Sequence, residues 1–201
     1  LAAQAANAYP LLVVVPNVVK TNWAREVHLW TPQRTATVVH GDGDTVSAFR
    51  IGAGGMLDPL NEQGTGGRNP VHLTFSPDGH WLLIANYATG SVVSLPIQAS
   101  GALGAMAARL QLPDLPGPHR TQQRGAHPHQ LVFDPSERWL LVPDKGADAV
   151  HTVAFDSDSG SLRLVTSLQT APGSGPRHLV LDPAGACGWV VLELSSQLLA
   201  V

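Results

Sequence analysis

Three prolines, Pro77, Pro135 and Pro183, stand in the same local sequence. Before each lies an alternating run: H-L-T-F-S, Q-L-V-F-D or H-L-V-L-D. After each, past a short polar turn, comes an apolar run: W-L-L-I-A, W-L-L-V-P or W-V-V-L. Alternation reads as a half-buried strand, and a short apolar run as a buried one. The proline and its polar neighbours read as the turn between them. A second marker keeps step with the first. V-S-A-F-R-I from Val46, V-V-S-L-P-I from Val92 and V-H-T-V-A-F from Val150 each run on into Gly-x-Leu, ending at Leu57, Leu103 and Leu162. The next such strand falls due near Leu198, where L-L-A-V begins. Two independent markers in step define a unit of four short strands, A to D, repeating every ~45–60 residues, the pattern of β-propeller blades. An ordinary β-sandwich would leave the recurrence unexplained.

The reading is therefore all-β: a β-propeller of four-stranded antiparallel blades, partial, with about three and a half of seven blades in the sequence. Composition agrees. Hydrophobic residues make up 44% and charged ones 13%, with 20 Gly and 16 Pro, which suits short buried strands and tight turns. Residues 41–201 carry the recognisable blades and residues 1–40 match poorly. Within that start, His28 to His40 reads as a shortened A–B pair, Leu11 to Val15 with Val18 and Val19 as an outer strand, and Thr21 to Glu26 as nothing recognisable. Trp81, Trp139 and Trp189 are expected at equivalent or near-equivalent positions on the B strands. Cys187, the single cysteine, is read as a buried thiol that leaves no internal disulfide.

A net charge of −3 gives no electrostatic basis for nucleic-acid binding. No apolar run reaches membrane-spanning length, so no membrane partner is expected. Leu1 to Ala8 ends in a small-x-small pattern. An ordinary Ala-rich start implies a cytoplasmic protein, and a signal-peptide remnant would imply a periplasmic one.

Strand direction sorts the candidate chemistry. In a four-stranded meander the A–B and C–D turns share one end, and the B–C and D–A connections share the other. The first end holds bland turns such as Pro77-Asp78-Gly79. The second gathers His127, His129, Arg177, His178, Asn86, Tyr87, Asp144, Lys145 and Glu193 around the innermost strands, where a concave mouth is the default place for a site. His127 and His129, two apart on a strand, are read as sharing a face; the spacing would suit a metal, but no third ligand is evident, and neither metal nor cofactor is expected. Asp144 reads as a turn-forming carboxylate and Lys145 as solvated. Glu193 ends an apolar run, where a charge needs a function or a buried partner. Gly173-Ser174-Gly175-Pro176 reads as a rigid turn delivering Arg177, whose fork suits a phosphate or carboxylate. The long segment from Gly104 to Ala126, with Arg120 and Arg124, reads as a functional loop or a solvated insertion.

At H-P-H, G-S-G-P-R-H and L-E-L-S-S the sequence resembles the lactonase family of seven-bladed β-propellers. N-P-V-H-L-T-F-S-P-D-G, A-N-Y-A-T-G-S-V and P-D-K-G-A-D-A-V extend the resemblance from about Asp44 to Val201. The family includes 6-phosphogluconolactonases and carboxymuconate lactonizing enzymes. The resemblance implies a site built on His129, Arg177 and Glu193, with His127, His178 and Arg124 as substrate-binding candidates. A further arginine comes from a later blade in the family, beyond the last residue of this sequence. The implied partner is a small anionic lactone, most simply 6-phosphogluconolactone. His129 or Glu193 would act as base and the other as acid. A lactonizing cycloisomerase and a non-catalytic propeller are the alternatives. Because the fourth unit stops inside strand C, the sequence also implies an open arc that associates through its blade edges and has little activity on its own.

Overall fold

The computed structural model describes residues 35–51 and 56–201. The expected leader-like stretch 1–8, the outer strand at 11–19, the unmatched 21–26, the first part of the 28–40 strand pair and Gly55 lie outside the described residues. Among the described residues, fourteen strands form four antiparallel sheets, and none of these residues is helical. The first sheet runs β1 (Thr35–Val39), β2 (Thr45–Ile51), β3 (Leu57–Gly64). The second runs β4 (Pro70–Phe75), β5 (Trp81–Asn86), β6 (Ser91–Pro96), β7 (Ala108–Gln111). The third runs β8 (Val132–Phe133), β9 (Trp139–Asp144), β10 (Ala149–Phe155), β11 (Leu162–Gln169). The fourth runs β12 (Pro176–Leu181), β13 (Gly188–Leu192), β14 (Gln197–Ala200). The second and third sheets are complete meanders, so the blade reading holds, and β14 forms where the repeat placed it.

Burial explains why the central strands read as unbroken apolar runs. A strand covered on both faces needs no polar alternation. On β5, Leu82 and Ile84 face the first sheet in a core with Val46, Ala48, Val93 and Leu95. Leu83 and Ala85 face the third sheet with Leu140, Val142 and Val153. A third core, Val150, Leu179, Val190 and Leu192, joins the third sheet to the fourth. Three cores between four sheets make the blade stack. On the far side of the fourth sheet the alternation returns: Val180, Trp189, Val191 and Leu198 are 60, 40, 46 and 65% exposed on one face.

Three local expectations need correction. Trp81 and Trp139 are equivalent, pairing with Pro96 and Ala154, but Trp189 sits two residues further along its strand, opposite Ala200. Cys187 takes the place of the tryptophan and is exposed, not buried, because it belongs to the turn, where its N–H donates to Asp182 Oδ1 at 2.8 Å. The inner strand of the third sheet is only Val132–Phe133, although the alternating run begins earlier. Pro128 has no N–H to donate. Isolated contacts rather than a continuous ladder hold this approach, among them a bridge from Pro128 to Asp144 and the His129 N–H on Pro143 O at 3.0 Å.

A repeated device joins successive inner strands. His72 Nδ1 accepts the Leu131 N–H across the blade boundary at 3.3 Å. Gln130 Oε1, the equivalent position one blade on, accepts the Leu179 N–H at 2.6 Å. The role needs a neutral imidazole. Burial, reinforced by His178 and His129, pushes the His72 pKa down to about 3. Its unfolded value is near 6.5, so its contribution to stability is complete above pH ~6.5 and is lost as pH falls from there toward 3. His72→Gln keeps the acceptor and removes the titration. Thermal unfolding from pH 7 to pH 4 is expected to show a smaller loss of Tm in His72→Gln than in the unchanged chain; equal losses would count against the latch.

Candidate active site

The site-bearing end of the third and fourth sheets is organised by the turn from β9 to β10. Asp144 is fully buried. Its Oδ1 accepts the N–H groups of Gly146 (2.9 Å), Ala147 (3.0 Å) and His127 (2.7 Å). One carboxylate oxygen thus closes its own turn and fixes the start of the neighbouring inner strand, which bears out its reading as a turn former. Gly146 is required here because a Cβ would meet the Gly125 carbonyl and lie 2.8 Å from the His127 ring.

Asp148, in the left-handed region at φ 49°, anchors the next element. Its Oδ2 accepts the Gly173 N–H at 2.6 Å and its Oδ1 the Gly175 N–H at 2.8 Å. This clamps the Gly-Ser-Gly turn leading into β12. Gly175, at φ 64°, has no room for a side chain because Leu194 Cγ would lie 2.6 Å away. From that turn the Gly175 carbonyl accepts the Glu193 N–H at 2.8 Å. Arg177 then falls at a register shift between Pro176 and His178. Such bulges re-aim a side chain, and here the result is an ion pair between Arg177 Nη1 and Glu193 Oε2 at 2.8 Å.

The other carboxylate oxygen, Glu193 Oε1, is 3.0 Å from Lys145 Nζ. Lys145 is not solvated as the sequence suggested; it is only 6% exposed, and its Nζ also donates to Gln122 Oε1 at 2.6 Å. Gln122 and its buried neighbour Gln123 come from the long connection after β7. Gln123 bonds the Lys145 carbonyl at 3.0 Å and Asp148 Oδ1 at 2.7 Å, so this loop is docked and forms part of the site wall.

The histidines surround Tyr87. The His127 ring stacks on it at 4.5 Å between centroids, with Nδ1 2.9 Å from the Tyr87 carbonyl. His129 meets Tyr87 edge-on at 5.8 Å and His178 at 5.2 Å. His127 and His129 therefore serve different contacts. Burial, the Arg177 charge and His178 push the His129 pKa down to about 4, and His178 is also lowered, by burial and Arg177. Burial alone would raise Glu193, but the bonds from Lys145 and Arg177 outweigh it and hold its carboxyl below the usual range. A neutral histidine and an ionised carboxylate therefore face one mouth at pH 7. His129 Nδ1 and Arg177 Nε are buried without hydrogen-bond partners among the described residues.

His129, His178, Arg177 and Glu193 are thus brought together, with His127 beside them. Arg124 is not: it is exposed and its Nε donates within its own loop to the Arg120 carbonyl at 3.1 Å. Lys145, Asp148, Gln122, Gln123 and Tyr87 complete the network. Lys145 and Tyr87 had a sequence signal in their place at the B–C turns, and Gln122 and Gln123 only in belonging to the long Gly104 to Ala126 segment.

Blades of four antiparallel strands stacked through shared cores define a β-propeller. Comparison with known proteins makes this specific. The family described as "Lactonase, 7-bladed beta-propeller" matches residues 20–201. The chain belongs to the seven-bladed β-propeller lactonase family. The 6-phosphogluconolactonase of Bacillus subtilis is 31% identical over 157 residues, covering 78% of this chain and 44% of that protein. The 6-phosphogluconolactonase of Formosa agariphila is 30% identical over 159 residues, covering 77% and 45%. Among solved structures, a putative 6-phosphogluconolactonase from Bacteroides fragilis superposes with a TM-score of 0.74 at 30% identity, covering 83% of this chain and 49% of that one. The periplasmic gluconolactonase of Pseudomonas aeruginosa gives 0.75 at 28% identity, covering 85% and 51%. The chain spans about half the length of these relatives.

Asp148→Ala would leave the buried Gly175 N–H and the half-buried Gly173 N–H unpaired and release the turn that delivers Arg177. It is expected to cost about 2–4 kcal/mol of stability, measured by denaturant unfolding. A loss below ~0.5 kcal/mol would show that the turn holds itself.

Proposed function

We propose that this protein hydrolyses a small anionic sugar lactone, 6-phosphogluconolactone, to 6-phosphogluconate. The observation that carries the reading is the convergence of neutral His129, ionised Glu193 and Arg177 with unused donors at one mouth between adjacent blades. The names of the relatives support the substrate, and the fold family supports lactone chemistry.

The chemistry follows from the protonation states. His129 takes a proton from an attacking water, whose oxygen bonds to the lactone carbonyl carbon. Arg177 receives the substrate's anionic group through the donors not used by Glu193. His178 and His127 line the same space beside Tyr87. As the intermediate collapses, the ring C–O bond breaks and the imidazolium returns its proton to the leaving ring oxygen. One residue thus serves as base and then as acid. Glu193, with both oxygens engaged by cations, stays ionised and holds Arg177 instead of donating a proton. The phosphorylated substrate goes with a cytoplasmic setting, and no described helix is long and apolar enough to cross a membrane.

The exposed row Val180, Trp189, Val191 and Leu198 supports a second reading, of partners: self-association through this face. Leu198→Glu is expected to raise the monomer fraction in sedimentation velocity, and a monomeric parent chain would remove the reading.

Hydrolysis should be lowered ~10²-fold or more by His129→Ala or by Arg177→Ala, and Glu193→Gln should lower it through Arg177. In the unchanged protein kcat/KM should be flat near neutrality and fall on the acid side with an apparent pKa near 4, because the base must be unprotonated. A limb near 6.5 would contradict the lowered pKa of His129, and unchanged turnover in both alanine variants would remove the proposed site.

A further inference from the structure

Glu193 makes an unusual use of Arg177. An arginine beside a carboxylate commonly engages both of its oxygens through two parallel N–H bonds. Here Arg177 reaches only Oε2, through Nη1 at 2.8 Å, while Oε1 is held by Lys145 Nζ at 3.0 Å. Lys145 cannot easily leave that place. Its side chain is 7% exposed, and an amine so buried needs partners. It has two, the Glu193 carboxylate and Gln122 Oε1 at 2.6 Å. Its main chain is tied at both ends, by its N–H on the His127 carbonyl at 3.1 Å and by its carbonyl on Gln123 Nε2 at 3.0 Å. Arg177 Nε is buried and has no partner among the described residues, so the donors open to a ligand are those of Nη2 and the second N–H of Nη1, on a side chain that is 40% exposed.

We propose that Lys145 is a positioning residue of the lactonase site: by occupying Glu193 Oε1 it keeps the carboxylate from closing a two-bond fork on Arg177, and so keeps the remaining guanidinium donors free for the substrate's anionic group. Gln122, from the long loop after β7, holds Lys145 in that role. This rests on the reading of Arg177 as the anion-binding group. Without Lys145 the carboxylate turns, accepts a second bond from Arg177 and competes with the substrate for it. The effect falls on binding more than on proton transfer, because His129 does not contact Lys145 through any of these bonds.

The test compares the unchanged chain with Lys145→Met, Lys145→Arg and Gln122→Leu, each checked for cooperative unfolding. Isothermal titration with 6-phosphogluconate should give a Kd about tenfold weaker in Lys145→Met, equal to one power of ten in the equilibrium constant. It should be about threefold weaker in Gln122→Leu and largely restored in Lys145→Arg. Where turnover is measurable, KM should rise by the same factor while kcat changes less than about threefold. A readout without ligand accompanies these: the ¹⁵N guanidinium signals of Arg177. In Lys145→Met they should show slower proton exchange and a shift marking a second bond to Glu193. If the unchanged chain neither binds nor hydrolyses, the function proposed above fails, and the guanidinium signals alone decide the positioning role. Arg177 signals that are the same with and without Lys145 overturn it, as does a Kd unaffected by Lys145→Met in a chain that binds. Should Lys145→Met not fold, Gln122→Leu carries the same comparison.

Discussion

The Asp144 carboxylate is the fixed point from which the site is built. Fully buried, it spends one oxygen on three backbone N–H groups and directs the other toward His151 Nε2 at 3.2 Å. His151 Nδ1 is in turn 2.7 Å from Ser167 Oγ. The set has the composition of a nucleophilic triad but not its setting. His151 is fully buried, so no substrate reaches it, and the chain of bonds ties β9, β10 and β11 together across one blade. The first blade uses His40, Ser47 and Glu62 in a related way, with bonds of 2.8 and 3.0 Å. What depends on Asp144 is the rest of its turn. Lys145 follows it and reaches Glu193, and Asp148 clamps the turn that presents Arg177.

Rigid placement then decides protonation. His129 is half-buried beside Arg177 and His178, and its charged form is disfavoured twice over. Glu193 loses some stability to burial but gains more from two cationic neighbours. Both pKa values are pushed down, and because one group is a base and the other an acid, the result at neutral pH is a neutral imidazole next to an ionised carboxylate. The sequence alone left His129 and Glu193 interchangeable as acid and base, since neither residue type settles the question without its neighbours.

The repeat was legible because blades are local. Each is a meander of adjacent strands, so short-range patterning, turn prolines and Gly-x-Leu steps carry the fold. Errors arose where a local rule met a different constraint. Trp189 looked equivalent to Trp81 and Trp139, but the turn has the same length in all three repeats, Asp182 to Cys187 as Ser76 to Trp81 and Asp134 to Trp139, and Cys187 holds the tryptophan's place. Lys145 looked solvated because a lysine in a Gly-containing turn usually is. Its burial comes from Gln122 and Glu193, 23 and 48 residues away in sequence. Asp148 and Gln123 gave no signal of their own, since their partners are backbone groups and a buried amide that only the folded chain assembles. His129, Arg177, Glu193 and His178 could be grouped from the sequence because they open or close strands that the repeat had already placed, and the fold sets them side by side, whereas Arg124, in an irregular loop, lies outside their cluster.

The most direct test of the account is to titrate the isotope-labelled chain with 6-phosphogluconate and follow backbone and side-chain signals by NMR. The account predicts saturable shifts centred on Arg177, His129, His178 and Tyr87, with the Arg177 guanidinium among the largest. Saturable shifts centred elsewhere on the blades, or none at millimolar ligand in a folded chain, would contradict it.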